Sequence, residues 1–178
     1  LILADPNLVT TGQGTDAQNA ADHVQLGHTL GQSFTVDGSF DSVGIRCPTF
    51  FQKGSALTVT LRHAGPGGDA IATHRFTRVA DNAWLTLHLN RSAEPGTYYV
   101  EASNPSGQIG WWSHTQDVLP RGQAYADGAP VAGDRTIRIA VMNGDDARIK
   151  SFFTFRKPQA DYFQGPTGPD QWSWLEVY

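Results

Sequence analysis

The sequence predicts an all-β protein: a two-sheet antiparallel β-sandwich of jelly-roll type, with about eight to ten strands. Three observations predict it. Apolar residues recur with a period of two, the apolar runs are short, and each run ends in turn chemistry. The composition agrees, with 19 Gly and 10 Pro in 178 residues and only 17% charged side chains. Successive side chains of a strand point to opposite faces, so alternation marks a sheet with one buried side.

The elements follow in order along the chain. SFTV opens the series, and DSVGIRC places Val43, Ile45 and Cys47 on one side. ALTVTLRH sets Leu57, Val59 and Leu61 against Thr58, Thr60 and Arg62. AGPGGDA is a hairpin turn into the weaker strand AIATHRFT; it lacks the Lys–Ser/Thr ending of a phosphate loop. WLTLHL points Leu85, Leu87 and Leu89 one way and Trp84, Thr86 and His88 the other. GTYYVEAS sets Tyr98, Val100 and Ala102 against Tyr99, Glu101 and Ser103. RTIRIAVM turns Ile137, Ile139 and Val141 inward, and IKSFFTFRKP adds a further strand. Turn residues separate these runs in VDGS, VADN, RSAEPG, SNPSG and YADGAP. Helical signal is confined to TDAQNAADHVQLG, residues 15–27, which suits a short helix capped by Thr15 or Asp16 or, equally, a loop.

Residues 1–150 therefore read as one sandwich module. Residues 151–178 are rich in Pro, Gly and polar side chains and end in the alternating WSWLEVY. They are expected to form an extension or linker toward a further domain, with a tail folded back on the sandwich as the other reading.

Bulk properties narrow the partners. Thirteen basic against seventeen acidic residues give a net charge of −4 without a basic stripe, so a nucleic-acid partner has no electrostatic support. No apolar run approaches the roughly 20 residues of a membrane span, and no membrane partner is expected. Cys47 is the sole cysteine and reads as a buried thiol. The chain starts at Leu1 with no visible signal peptide, which is compatible with processing and secretion.

Catalytic chemistry is not visible. Glu94, Glu101 and Glu176 are the only glutamates, and most Asp fall in turns, where they bond local backbone. No G-x-S-x-G elbow occurs, and Ser113 and His114 diverge as strand neighbours. The His residues show no H-x-x-x-H spacing. Oxygen-rich loops at Asp81–Asn82, Asp127, Asp134 and Asn143–Asp146 suit Ca²⁺, although each is also an ordinary turn. NRS at 90–92 is an N-glycosylation triplet placed in a turn. The aromatics carry more information. In QIGWWSHT neighbouring rings face opposite ways; Ile109 and Trp111 share the core face, leaving Trp112 outside as a stacking surface or as cover for the sheet.

LGQSFTVDGSFDSVGIRCPTF, ALTVTLRHAGPGGD, VADNAWLTLHL, PGTYYVEASNPSGQIGWWSHT and GQAYADGAPVAGDRTIRI resemble, in order, the jelly-roll carbohydrate-binding modules of bacterial glycoside hydrolases. The best likeness is to the L-rhamnose-binding modules of family 67, carried by α-L-rhamnosidases, over about residues 28–142. DNAW and IGWWSHT are its most specific parts. The resemblance implies a non-catalytic, calcium-assisted sugar-binding module of a secreted enzyme, covalently linked to a catalytic domain. Asp81 and Asn82 match the family's Asp–Asn pair at the calcium and the sugar. Asp127 and Asp134 are candidates for further metal ligands. Trp111 and Trp112 fall in or near the expected aromatic wall, and His114 is a further ligand-binding candidate. Two other readings stand beside it: a structural accessory domain that binds no sugar, and a fragment of a hydrolase or polysaccharide lyase itself.

Overall fold

The computed structural model describes residues 19–119, 121–143 and 146–152, with side chains for those between 20 and 140. All regular structure among them is β, in thirteen strands, and every pairing is antiparallel. The expectation of eight to ten strands undercounts because Asn19–His23, Ala129–Val131 and Asp134–Arg135 are short strands whose sequences do not alternate. The six-stranded sheet has the order β10-β9-β2-β7-β4-β5. Its strands are Ala129–Val131, Gln123–Ala126, Leu30–Val36, Gly96–Ser106, Ala56–His63 and Ala70–Phe76. The four-stranded sheet runs β13-β12-β3-β6, that is Asp146–Phe152, Ile137–Asn143, Ser39–Cys47 and Ala83–Ala93. A three-stranded sheet, β1-β8-β11, joins Asn19–His23, Gly110–His114 and Asp134–Arg135.

One core lies between the sheets. Leu57, Val59 and Leu61 meet Tyr98, Val100 and Ala102 on the inner face of the larger sheet, while Val43, Ile45, Leu85, Leu87, Ile137 and Ile139 line the smaller. These are the alternating positions read from the sequence, and burying apolar area at about 25 cal/mol per Å² is what holds the layers together. Cys47 is fully buried, and desolvation pushes its thiol far above its ordinary range. Val141 and the extension 151–178 lie outside the described side chains or residues.

Of the stretch 15–27, residues 15–18 lie outside the described residues, and the rest depart from the helical reading. Asn19–His23 is a strand, paired residue by residue with β8 from Asn19↔His114 to His23↔Gly110. Local propensity is weak, and the unpaired backbone edge of β8 outweighs it. NRS at 90–92 lies within β6 rather than in a turn; the turn follows at Glu94–Pro95.

Candidate ligand-binding site

The two tryptophans separate as their parity requires. Trp111 is fully buried, and its Nε1 donates to the Thr136 carbonyl at 2.8 Å. The Arg135 guanidinium sits 5.7 Å from its ring centroid. Trp112 is only half-buried, and its Nε1 donates to Asn82 Oδ1 at 2.7 Å. An indole N–H can only donate, so it fixes which end of the Asn82 amide faces it. The amide's Nδ2 then donates to Asp81 Oδ2 at 3.2 Å. Asp81 Oδ1 in turn accepts from the Thr49 backbone N–H at 2.6 Å and from Thr49 Oγ1 at 3.3 Å. Arg46 Nε donates to the Asn82 carbonyl at 3.1 Å. A continuous hydrogen-bonded chain, Thr49–Asp81–Asn82–Trp112, thus joins three distant stretches of sequence at one end of the sandwich.

Backbone geometry singles out the same place. Asn82 has φ 59°, Arg78 φ 53°, and Phe50 and Phe51 φ 52° and 63°. Left-handed backbone suits Asn but costs about 1 kcal/mol or more at Phe or Arg. The β3–β4 loop that carries the two Phe is nonetheless held firmly. Gln52 N donates to Thr49 O at 2.9 Å, Val79 N to Ser55 O at 2.9 Å, and Gln108 N to Gln52 Oε1. Phe50 stacks on His23, with ring centroids 4.1 Å apart and planes 9° from parallel. Phe51 projects outward at 90% exposure. Beside it runs a groove of about 540 Å³, lined by Thr49, Phe51, Gln52, Lys53, Gly54, Arg78, Val79, Ala80 and Asp81. The sequence reading passed over Phe51, Lys53 and Arg78. The available signal was TFFQKGS, where two rings run past the end of a strand into turn residues and only one can fold back.

The remaining candidates sit elsewhere. Asp134 is 1% exposed; its Oδ2 accepts from the N–H groups of Val118 and Leu119 at 2.7 and 2.8 Å, and its Oδ1 from Gln32 Nε2 at 2.8 Å. Burial raises its carboxyl above the usual value while these donors pull the other way. Asp127 is exposed, accepting from the Thr29 N–H at 2.8 Å and bonded to His28 Nδ1 at 2.7 Å, which holds its carboxyl low. His114 is buried, opposite Asp134 in the β8–β11 pairing. No three His, Cys, Asp or Glu side chains among the described residues converge as a metal-binding group, so Asp81, Asp127 and Asp134 do not form one calcium shell. Asp81 and Asn82 do fit Ca²⁺ by type, offering carboxylate and amide oxygens, but they supply only part of the about six to eight ligands it takes.

Trp84 points away from Leu85 and Leu87, as its parity demands. Rather than standing free it lies under the Arg138 guanidinium, 4.8 Å from the ring centroid. A larger groove of about 840 Å³ opens between β5 and β6, at the edges of the two large sheets; none of the predicted site residues lines it. A comparison with models of known protein families finds no match, and a search of curated proteins finds none either.

Proposed function

We propose that the chain is a non-catalytic carbohydrate-binding module, of the jelly-roll kind its sequence resembles, serving a secreted bacterial glycoside hydrolase. One observation carries this reading: the half-buried Trp112 indole is clamped through Asn82 to Asp81, and Asp81 itself lines an open groove. An indole face packs the C–H side of a pyranose, and amide and carboxylate oxygens orient its hydroxyls. A Ca²⁺ ion would be held by the Asp81 carboxylate and the Asn82 side-chain carbonyl, with sugar hydroxyls and water completing its shell. So shallow a site suits a Kd of roughly 10 μM to 1 mM, which a tether to a catalytic domain turns into useful avidity on a polymer.

The test is calorimetric titration with L-rhamnose and a monosaccharide panel, in Ca²⁺ and then in EDTA. Calcium-dependent heat with one sugar supports the module, and heat that survives EDTA supports a metal-free site. Silence across the panel favours a structural accessory domain. Asp81→Ala is a poor diagnostic, because it strips the acceptor from the N–H of fully buried Thr49 at a cost of about 1–3 kcal/mol. Trp112→Phe is cleaner. It keeps a ring but removes the bond to Asn82, and it should weaken sugar binding by about tenfold while costing about 1 kcal/mol of stability.

A further inference from the structure

The groove beside Asp81 has a charge pattern that the sugar-binding reading alone does not explain. Its charged side chains are Lys53, Arg78 and Asp81. The Asp81 carboxylate is already bonded on both oxygens, by Thr49 and by Asn82. Neither Lys53 nor Arg78 has an ion-pair or hydrogen-bond partner among the described residues, and both are exposed. Two cations therefore line the groove together with a carboxylate whose bonds go to Thr49 and Asn82 rather than to either of them. The exposed ring of Phe51 stands with them on a loop pinned at Thr49, Gln52 and Ser55. Among the described residues, four of the eight non-glycine positions with left-handed backbone, Phe50, Phe51, Arg78 and Asn82, line or adjoin this groove. Strain gathered at one place in this way is typical of ligand clamps.

We propose that the groove is a subsite for an acidic sugar residue, a uronate, next to the sugar held at Asp81, Asn82 and Trp112. The inference rests on the sugar-binding reading and names a class of ligand within it. A uronate offers both features that the groove can use. Its C–H face packs on Phe51, and its carboxylate pairs with Lys53 and Arg78, the guanidinium accepting it in a two-point fork. The volume of about 540 Å³ lies within the roughly 300–1,000 Å³ of small-ligand pockets. A polyanion drawn in by long-range field is disfavoured, since the whole chain carries −4. Recognition is local, made by two side chains in a chain that otherwise repels anions.

The test uses the full chain on an array of pectic, alginate and glucuronoxylan polysaccharides, each beside its carboxyl-reduced product. At about 0.01 M ionic strength an acidic form should bind about fivefold or more tightly than its reduced partner, and the gap should close near 1 M, where charges are screened beyond about 3 Å. A Lys53→Gln, Arg78→Gln double variant should lose the acid preference and keep its binding to the reduced polymer, whereas Phe51→Ala should weaken both. Equal binding of acidic and reduced forms overturns the uronate subsite and leaves the sugar-binding reading standing. An acid preference that survives the double variant overturns it too. No binding to any polysaccharide overturns both.

Discussion

Tyr99 is fully buried although its parity turns it to the outer face of the six-stranded sheet. The explanation is Gly31 on the neighbouring strand β2. A Cβ there would lie 2.0 Å from the Tyr99 hydroxyl oxygen and 2.2 Å from Cζ, so the phenol ring occupies the space a side chain would fill. Tyr125 packs edge-on against the same ring at 5.3 Å. Gly31→Ala should therefore cost about 1–3 kcal/mol by overpacking, read as a lower urea midpoint at unchanged slope. A different single-residue effect operates at Asp37, whose two oxygens take Arg121 Nη1 and Nη2 at 3.0 and 2.7 Å. That bidentate hydrogen bond, and then the charge of the guanidinium, hold the carboxyl below 3.8. The contribution of the pair is thus complete above pH 3.8 and is lost as pH falls through the lower, folded-state value. Carboxyl chemical shifts followed against pH should show Asp37 titrating below 3.8, and Arg121→Gln should return it to the ordinary value.

At the scale of elements, β1 and β11 flank β8, and an ion pair between Asp22 and Arg135 links the two outer strands across it. The Arg135 side chain is 2% exposed and also donates to the carbonyls of Gly31 and Tyr125, at 3.2 and 3.1 Å. Asp22→Ala takes from that buried guanidinium the carboxylate it is paired with and leaves its bonds to the Gly31 and Tyr125 carbonyls in place. About 1–3 kcal/mol should be lost, below the full cost of an orphaned charge because Asp22 is itself 47% exposed, and Asp22→Asn should recover part of it. Thermal melts of the two variants side by side would read the difference. This staple is invisible in the sequence, where residues 19–23 carry no alternation, Asp134 reads as loop and Arg135 reads as the start of the strand RTIRIAVM. Alternation did expose Leu57, Val59, Leu61, Val43 and Ile45, since a half-buried strand writes its burial into every second residue. It also told Trp111 from Trp112. What it could not show was which loops meet. The bond from Trp112 to Asn82 spans thirty positions of sequence and exists only because β8 and the turn before β6 reach the same end of the sandwich. The family resemblance points to Asp81 and Asn82; for Phe51 the sequence offers only the run TFFQKGS, and for Arg78 nothing, because its placement comes from a backbone angle that no side-chain pattern encodes.

For the molecule as a whole, rigid strands and a strained end divide the work. The core strands carry buried, alternating apolar faces, and among the described residues the left-handed non-glycine positions fall in turns and loops except Asn104, which lies within β7; half of them stand around the groove. A loop that holds Phe51 at φ 63° with its ring 90% exposed gains almost no apolar burial in return. Stability is being given up there, and a function is the physical reason to keep the residue. Glycine adopts that φ freely, so Phe51→Gly relieves about 1 kcal/mol of backbone strain while forfeiting little packing. The greater freedom of glycine in the unfolded chain takes back about half of that or more. The variant should match the parent protein in denaturant stability or exceed it by a few tenths of a kcal/mol, whereas removing a packed ring such as Phe34 would cost about 3–5 kcal/mol. Sugar binding should move the opposite way and weaken. Denaturant melts and calorimetry on one preparation would give both numbers. Loss of stability without loss of binding would mean that Phe51 packs the loop rather than a ligand; stability held while binding falls would show a ring kept at the protein's own expense for recognition.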